Sequence, residues 1–569
     1  MNKPFTALFA LAVAGCALGL ARQASTANSP TVDEVPYLQG GYDIFAKRDF
    51  TGVANGGVAP LPLLLAYWPM AFDRELSPES VDPSGPRAVA QVLRGRLAQG
   101  AVLLPLLLVT LAWFLHGRYG WPFALVGCSL VALSPAALAH SAVAATDFCF
   151  MTCGVLFIVA GVRYLEGPSP GRLLLVALAL GLVLAAKYTA VLFLLVLALC
   201  LLVTNRQRGA AALWGVTRPL LVCAAVAFVV CWGLHGFQLV KVKEAGAAGT
   251  PPGSPWRRVL GGGATADRVL DFASREPLCP APLKGLLKQT AMVGGGGDVY
   301  LCGRVYHGGT PLYYPVAFAV KSSPAELALL GAAFVALLLL VLRPAAGRRR
   351  PDAVPLVAGA TLVLFFLVMS FSRKQLGLRY LLIVYPLAFL LAAELAHCLP
   401  RRDGVGAALA AAAVLLVLLQ ASSACAAMPY PLAYFNRLAG GAREGARYLD
   451  DSNLDWGQGL VALSRYQSTS ARGASLGLIY HGSLSPRAYG IETVALGRLL
   501  DGPGPGGYSG RRLLGVSATM LCRDRWLRSL AGVPPVERAA FSIYVYDLED
   551  PAVFAALKRY LAAEKTGGP

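Results

Sequence analysis

Apolar runs long enough to cross a hydrocarbon core of about 30 Å recur along the whole chain, and no other feature limits its folding as much. They fall at 4–21, 99–116, 121–139, 147–165, 172–186, 188–205, 219–235, 324–343, 354–371, 379–398 and 404–423. In lipid every backbone polar group must find a partner within the protein, so such runs fold as helices. Only 14% of the residues are charged and the mean hydropathy is +0.57; a soluble domain carries roughly 25% charged residues. The expected fold class is mainly α: a polytopic membrane bundle of about eleven transmembrane helices, residues 1–423, with a small extracytoplasmic α/β domain at 424–569.

Charge sets the expected orientation. The formal net charge is +19, from 50 Lys and Arg against 31 Asp and Glu. Most basic residues cluster in short loops, as in positive-inside topology with contact to anionic membrane lipids. With the N-terminus inside, Arg118, Arg163, Arg172, Arg206, Arg208, Arg218, Arg343, Arg348-Arg349-Arg350 and Arg401-Arg402 share the cytoplasmic side. The segment from Ser372 to Arg379, with Arg373 and Lys374, is the basic exception and lies outside, which suggests a task for it. Scattered basic residues give no nucleic-acid footprint, so nucleic acid is excluded as a partner. The outside then receives the loop 22–98, the turn at His140, the Gly/Pro-rich loop 236–323 (Gly246–Gly253, Gly261–Gly263, Gly294–Gly297) and the tail. Strand-like runs in the tail fall at 474–480, 513–521 and 542–547, with helical stretches at 442–449 and 551–563.

The 12 cysteines form no CxxC and no Cys/His metal spacing, and most sit in apolar runs as small buried residues. Cys279 and Cys302 share one polar loop and are placed to pair if that loop lies in an oxidising compartment. Val13-Ala14-Gly15-Cys16 matches a lipoprotein cleavage box, although the later topology works with a retained first span.

Chemistry-bearing residues gather at the outer ends of the runs. Asp33-Glu34 follows the first run, where an acidic pair is costly to place without a reason. A sugar transfer needs a carboxylate to take the acceptor proton, and Asp33 is at the depth of a lipid-borne donor's head, with Glu34 beside it. His140 and Asp147 are two helical turns apart and share a face if the turn between them is helical. Asp147 opens a long run, where a helix N-terminus also favours a carboxylate. Lys187-Tyr188-Thr189, Lys321 and Arg379-Tyr380 all lie at the same surface, where Lys and Arg can bind a phosphate and stabilise the charge of a departing one. The plain alternative for each is snorkelling to headgroups. In the tail, Asp450-Asp451-Ser452-Asn453-Leu454-Asp455-Trp456-Gly457-Gln458 has D-x-N-x-D spacing. It fails as a calcium loop, because Trp456 replaces the turn glycine and Ala462 the bidentate Glu. An exposed Trp456 among amides and carboxylates (Asn453, Asp455) suits a sugar ring.

Together, the acidic pair after span one, Ser134-Pro135…His140…Thr146-Asp147, Lys187-Tyr188-Thr189, Lys321 and Gly377-Leu378-Arg379-Tyr380 resemble integral-membrane glycosyltransferases of superfamily C. The nearest resemblance is to the polyprenyl-phosphate-mannose protein mannosyltransferase group (glycosyltransferase family 39-like), which includes the lipid A aminoarabinose transferase. The tail from Tyr434-Phe435-Asn436-Arg437 to Gln458 is similar to a bacterial branch of that group. The resemblance implies an inverting enzyme that moves a sugar from a polyprenyl-phosphate donor to an extracytoplasmic acceptor: a protein, a lipid or a glycan. It implies Asp33 as base with Glu34 and Asp147 in the catalytic set, and Lys187, Lys321, Arg379 and Tyr380 around the donor phosphate. His140, Asn453, Asp455 and Trp456 are the substrate-binding candidates. One departure stands out. Where relatives carry a polar residue before Pro-Pro-Leu, this chain reads Gly57-Val58-Ala59-Pro60-Leu61-Pro62-Leu63, which leaves open whether a divalent metal takes part. No P-loop, dinucleotide fingerprint or GxSxG occurs, which argues against an ATP-driven pump. A transporter or flippase of a lipid-linked saccharide is the alternative, although charges at one surface and the lack of a two-fold repeat disfavour it.

Overall fold

The computed structural model describes residues 3–73, 85–206, 211–241, 276–342, 352–399, 404–501 and 510–565, together with 263 and 268. Arg208, Arg343, Arg348–Arg350 and Arg401-Arg402 lie outside the described residues, as do Gly246–Gly253 and Gly261-Gly262.

Over its described residues each of the eleven apolar runs is mainly helical. Among the described residues eight helices are long and apolar enough to cross a membrane. The run expected at 121–139 is instead two helices, Trp121–Ala132 and Pro135–Ser141, bent by 62°. Pro135 has no N–H to continue the ladder, and the preceding Ser134 is extended (φ −62°, ψ 123°), as pre-proline residues prefer. Ser134 Oγ then caps the new helix by accepting from Ala137 N at 3.3 Å. The remaining two runs are the shorter apolar helices Pro170–Ala186 and Pro324–Leu342. The molecule is a multi-pass membrane bundle.

Helix α1 (Lys3–Ala27) packs along the helix Pro86–Tyr119, which begins well before the expected 99. Its buried side, Val92, Arg96, Gln99, Leu103 and Leu107, follows a three-to-four residue period. The first loop is not extended: it holds α2 (Glu34–Lys47), α3 (Thr51–Gly56) and α4 (Pro60–Tyr67). The large loop contributes a short antiparallel pair, β1 (Leu239–Val240) with β2 (Cys279–Pro280), and a helix, Ala281–Gly295. A hairpin, β3 (Asp298–Leu301) with β4 (Arg304–His307), and the helix Tyr313–Lys321 follow. The anticipated disulfide is absent, because Cys279 is buried in β2 while Cys302 is exposed at the β3–β4 turn, where its N–H bonds Tyr448 O at 2.9 Å.

After the last span, Val405–Ala427, the chain makes short 3-10 turns and enters a four-stranded sheet of order β5 (Ser475–Ile479), β6 (Arg512–Ser517), β8 (Ile543–Asp547), β7 (Glu537–Ala539). The β5–β6 pair is parallel and the other pairs are antiparallel. Val32 N donates to Trp456 O (2.9 Å) and Ser29 N to Gln458 O (3.0 Å), so the tail's polar motif lies on the segment leading into Asp33. Asn436 fastens the tail a second time, donating from Nδ2 to the carbonyls of Ala319 (2.6 Å) and Ser322 (3.0 Å).

Candidate active site

Four helix ends converge on one charge cluster. Asp33 is the N-cap of α2 and Asp147 lies in the first turn of the helix Thr146–Glu166. Lys187 is the C-cap of Pro170–Ala186, and Arg379 sits in the 3-10 turn Leu378–Leu381. Gly377 makes that turn possible: its φ is +84°, a Cβ there would strike the Ser452 hydroxyl, and its N–H donates to the Tyr313 hydroxyl at 2.9 Å.

Arg379 Nη1 stands 2.9 Å from Asp33 Oδ2 and 3.6 Å from Asp147 Oδ2. Lys187 Nζ donates to Asp147 Oδ1 at 2.5 Å. Two carboxylates thus face two cations, and the formal charge sums to zero. Tyr380 supplies an aromatic face 3.9 Å from Lys187 Nζ, and Trp456 one 4.1 Å from the Arg379 guanidinium carbon. The carboxylates differ in access. The Asp147 side chain is 1% exposed and that of Asp33 is 28% exposed. Asp33 Oδ2 also accepts from the Tyr37 hydroxyl, one helical turn on, at 3.4 Å. Its Oδ1 makes no hydrogen bond within the described residues and is open to a proton donor.

Glu34, expected beside Asp33 in the catalytic set, is turned the other way and has no exposure. Arg96 holds it with a two-pronged contact, Nε to Oε1 and Nη2 to Oε2, both 2.7 Å. The N–H groups of Thr31 (2.7 Å) and Ala144 (2.8 Å) also donate to it. Arg96 points its remaining N–H bonds at the carbonyls of Ser25, Asn28 and Ser29. Every donor and acceptor of the pair is used inside the protein, so the carboxylate has no free edge for a substrate. Adjacent residues at a helix start point roughly 100° apart, which puts Asp33 in the cleft and Glu34 in the core.

Several other expected site residues lie close by but are occupied. Trp456 is 2% exposed rather than open to a sugar, because Arg379 covers its ring and His140 packs 6.4 Å away. His140 and Asp147 do not share one helix: the short helix ends at Ser141 and the next starts at Thr146. Asn453 accepts from Leu378 N (3.0 Å) and donates to the Tyr313 hydroxyl (2.8 Å), holding the turn that carries Arg379. Asp455 accepts from Gly457 N (3.2 Å) and Thr519 N (3.1 Å), and burial pushes its carboxyl up to about 6. Lys321 turns its ammonium to the carbonyls of Leu432 (2.7 Å) and Asn453 rather than to the cleft. Burial draws Lys321 down to about 7.

No group of three or more His, Cys, Asp or Glu among the described residues could hold a metal ion. Arg379 fills the space between the two site carboxylates, so the donor set does not fit a divalent cation there. Arg96 and Tyr37 are the site residues that sequence reasoning did not assign. Their signals were present: Tyr37 is four residues after Asp33, and Arg96 occupies a core position in the period of its helix.

No protein-family model matches the chain, and no curated protein sequence matches it. Among solved structures, the crystal structure of ArnT from Cupriavidus metallidurans bound to undecaprenyl phosphate aligns with a TM-score of 0.46 at 14% identity, covering 97% of this chain and 99% of that one. The apo state of the same protein aligns with a TM-score of 0.44 at 14% identity, covering 94% of this chain and 97% of that one.

Proposed function

We propose that the protein is a membrane glycosyltransferase that moves a sugar from a polyprenyl-phosphate donor to an acceptor at the extracytoplasmic surface. One observation carries the reading: an accessible carboxylate with one free oxygen, Asp33, shares Arg379 with a buried carboxylate, and a second cation, Lys187, stands beside them. The motif order in the sequence supports the same reading. Asp33 Oδ1 takes the proton of the acceptor hydroxyl or amine as that atom bonds to the anomeric carbon. The bond from the anomeric carbon to the phosphate oxygen breaks on the opposite face, so the configuration inverts. The negative charge left on the polyprenyl phosphate is met by Arg379 and Lys187, which already sit within a low-dielectric wall. Tyr37 and Arg379 hold Asp33 Oδ2 and so aim Oδ1 at the acceptor.

The test is purified protein in proteoliposomes with a synthetic polyprenyl-phosphate sugar. Release of polyprenyl phosphate with formation of a glycosylated product supports the reading. Movement of intact lipid-linked sugar between leaflets without product would replace it with a transporter.

A further inference from the structure

Glu326 is a 3% exposed carboxyl in the first turn of the helix Pro324–Leu342, and it forms no ion pair with any described residue. An ionisable group at this depth calls for a role. Part of it is a capping box: Ser323 N donates to Glu326 Oε2 (2.7 Å) and Glu326 N donates to Ser323 Oγ (3.0 Å). A capping box uses only one carboxyl oxygen. Here Oε1 reaches two other spans, accepting from Ser134 Oγ at 2.5 Å and Gln420 Nε2 at 3.2 Å. Ser134 is the residue at which the Trp121–Ser141 segment bends. Gln420, on the last span, closes the network by accepting from Ser323 Oγ at 2.5 Å.

Two routes lead from this carboxyl to Arg379. Through Ser323 it fixes the turn after Lys321, whose ammonium bonds the Asn453 carbonyl, while Asn453 Oδ1 holds Leu378 N next to Arg379. Through Ser134 it fixes the short helix bearing His140, which packs on Trp456, the ring beneath the Arg379 guanidinium. We propose that Glu326 is a positioning residue that acts through hydrogen bonds to hold Arg379 in its donor-binding pose. The functional half of this inference rests on the donor-phosphate reading of Arg379.

The experiment compares Glu326→Ala and Glu326→Gln in proteoliposomes by donor KM, kcat and amide exchange. Glu326→Ala is expected to raise donor KM about tenfold, the size of one lost orienting contact, with kcat at saturating donor near wild type. Glu326→Gln keeps an acceptor for Ser323 N and can donate to Ser134 Oγ, but its NH2 faces Gln420 Nε2 and loses that one bond, so its rise in donor KM is expected to be well below that of the alanine variant. Amide exchange at 321–323 and 377–379 should quicken in the alanine variant only. If the alanine variant does not fold, Gln420→Leu leaves both the Ser323–Glu326 capping box and the Ser134 cap intact and should give a smaller rise in the same direction. Unchanged donor KM and exchange in the alanine variant would overturn the proposal. So would a glutamine variant as impaired as the alanine one, which would assign the role to charge. A wild-type protein that does not turn over the donor would refute the glycosyltransferase reading instead, and the exchange comparison would still decide the positioning.

Discussion

Replacing Glu34 with alanine separates a catalytic carboxylate from a structural one. The change leaves the Arg96 guanidinium, 1% exposed, without its counter-ion. Removing one member of such a buried pair costs about 3–5 kcal/mol, because the other charge remains in a medium that cannot solvate it. The N–H groups of Thr31 and Ala144 lose their acceptor as well, at about 1–3 kcal/mol each if they stay buried. These losses are comparable with a typical folding free energy of about 5–15 kcal/mol. They fall where α1, α2, the helix Pro86–Tyr119 and the 142–145 turn meet, so the first loop should come loose. The expected outcome for Glu34→Ala is poor yield and a strongly lowered Tm in detergent, read by intrinsic fluorescence alongside size-exclusion chromatography. Asp33→Asn should fold with a much smaller loss of Tm, because the Asp33 side chain is 28% exposed and Arg379 keeps Asp147 as a counter-ion. A Glu34→Ala protein with wild-type Tm and no activity would refute the reasoning and return Glu34 to the catalytic set.

Arg379→Ala removes a charge-assisted contact to the donor phosphate worth about 1.5–3 kcal/mol, so donor KM should rise about tenfold to a hundredfold, and kcat should fall as well because Asp33 loses the group that aims it; an unchanged donor KM would count against the phosphate role. Burial raises the Asp455 carboxyl to about 6, so the folded state holds that proton more tightly than the unfolded chain does. Its stabilising contribution is complete below the ordinary carboxylate value and is lost as pH rises through about 6. The Tm should therefore gain on going from pH 7 to pH 5, and Asp455→Asn should flatten that gain; an unchanged slope would contradict it. Chelator-treated protein should keep its transferase activity, because Arg379 fills the gap between the site carboxylates. Activity that disappears with EDTA and returns with a divalent cation would place a metal in the reaction.

The spans were readable because lipid permits little but helix for long apolar runs. Asp33, Asp147, Lys187 and Arg379 stood out for a related reason: each is a charge at the end of such a run. The structure adds how they meet, and Gly377 explains the spacing before Arg379, since only a residue tolerating positive φ lets the turn close against Ser452. What stayed hidden depends on long-range contacts. Glu34 reads like Asp33 until Arg96, which falls within the loop expected at 22–98, proves to lie on the buried side of a helix that starts at Pro86. Trp456 reads as exposed because its neighbours are polar. Its burial comes from the pairing of residues 29–32 with 456–460 and from Arg379 above it, neither of which has a local signature.

The most direct measurement is a single-turnover assay of wild type and Asp33→Asn with a radiolabelled polyprenyl-phosphate sugar, in vesicles oriented with the tail outward. The account predicts labelled acceptor and free polyprenyl phosphate from wild type, and bound but unreacted donor in the asparagine variant. Wild-type rates in the variant, or product formed only when donor is confined to the opposite leaflet, would contradict it.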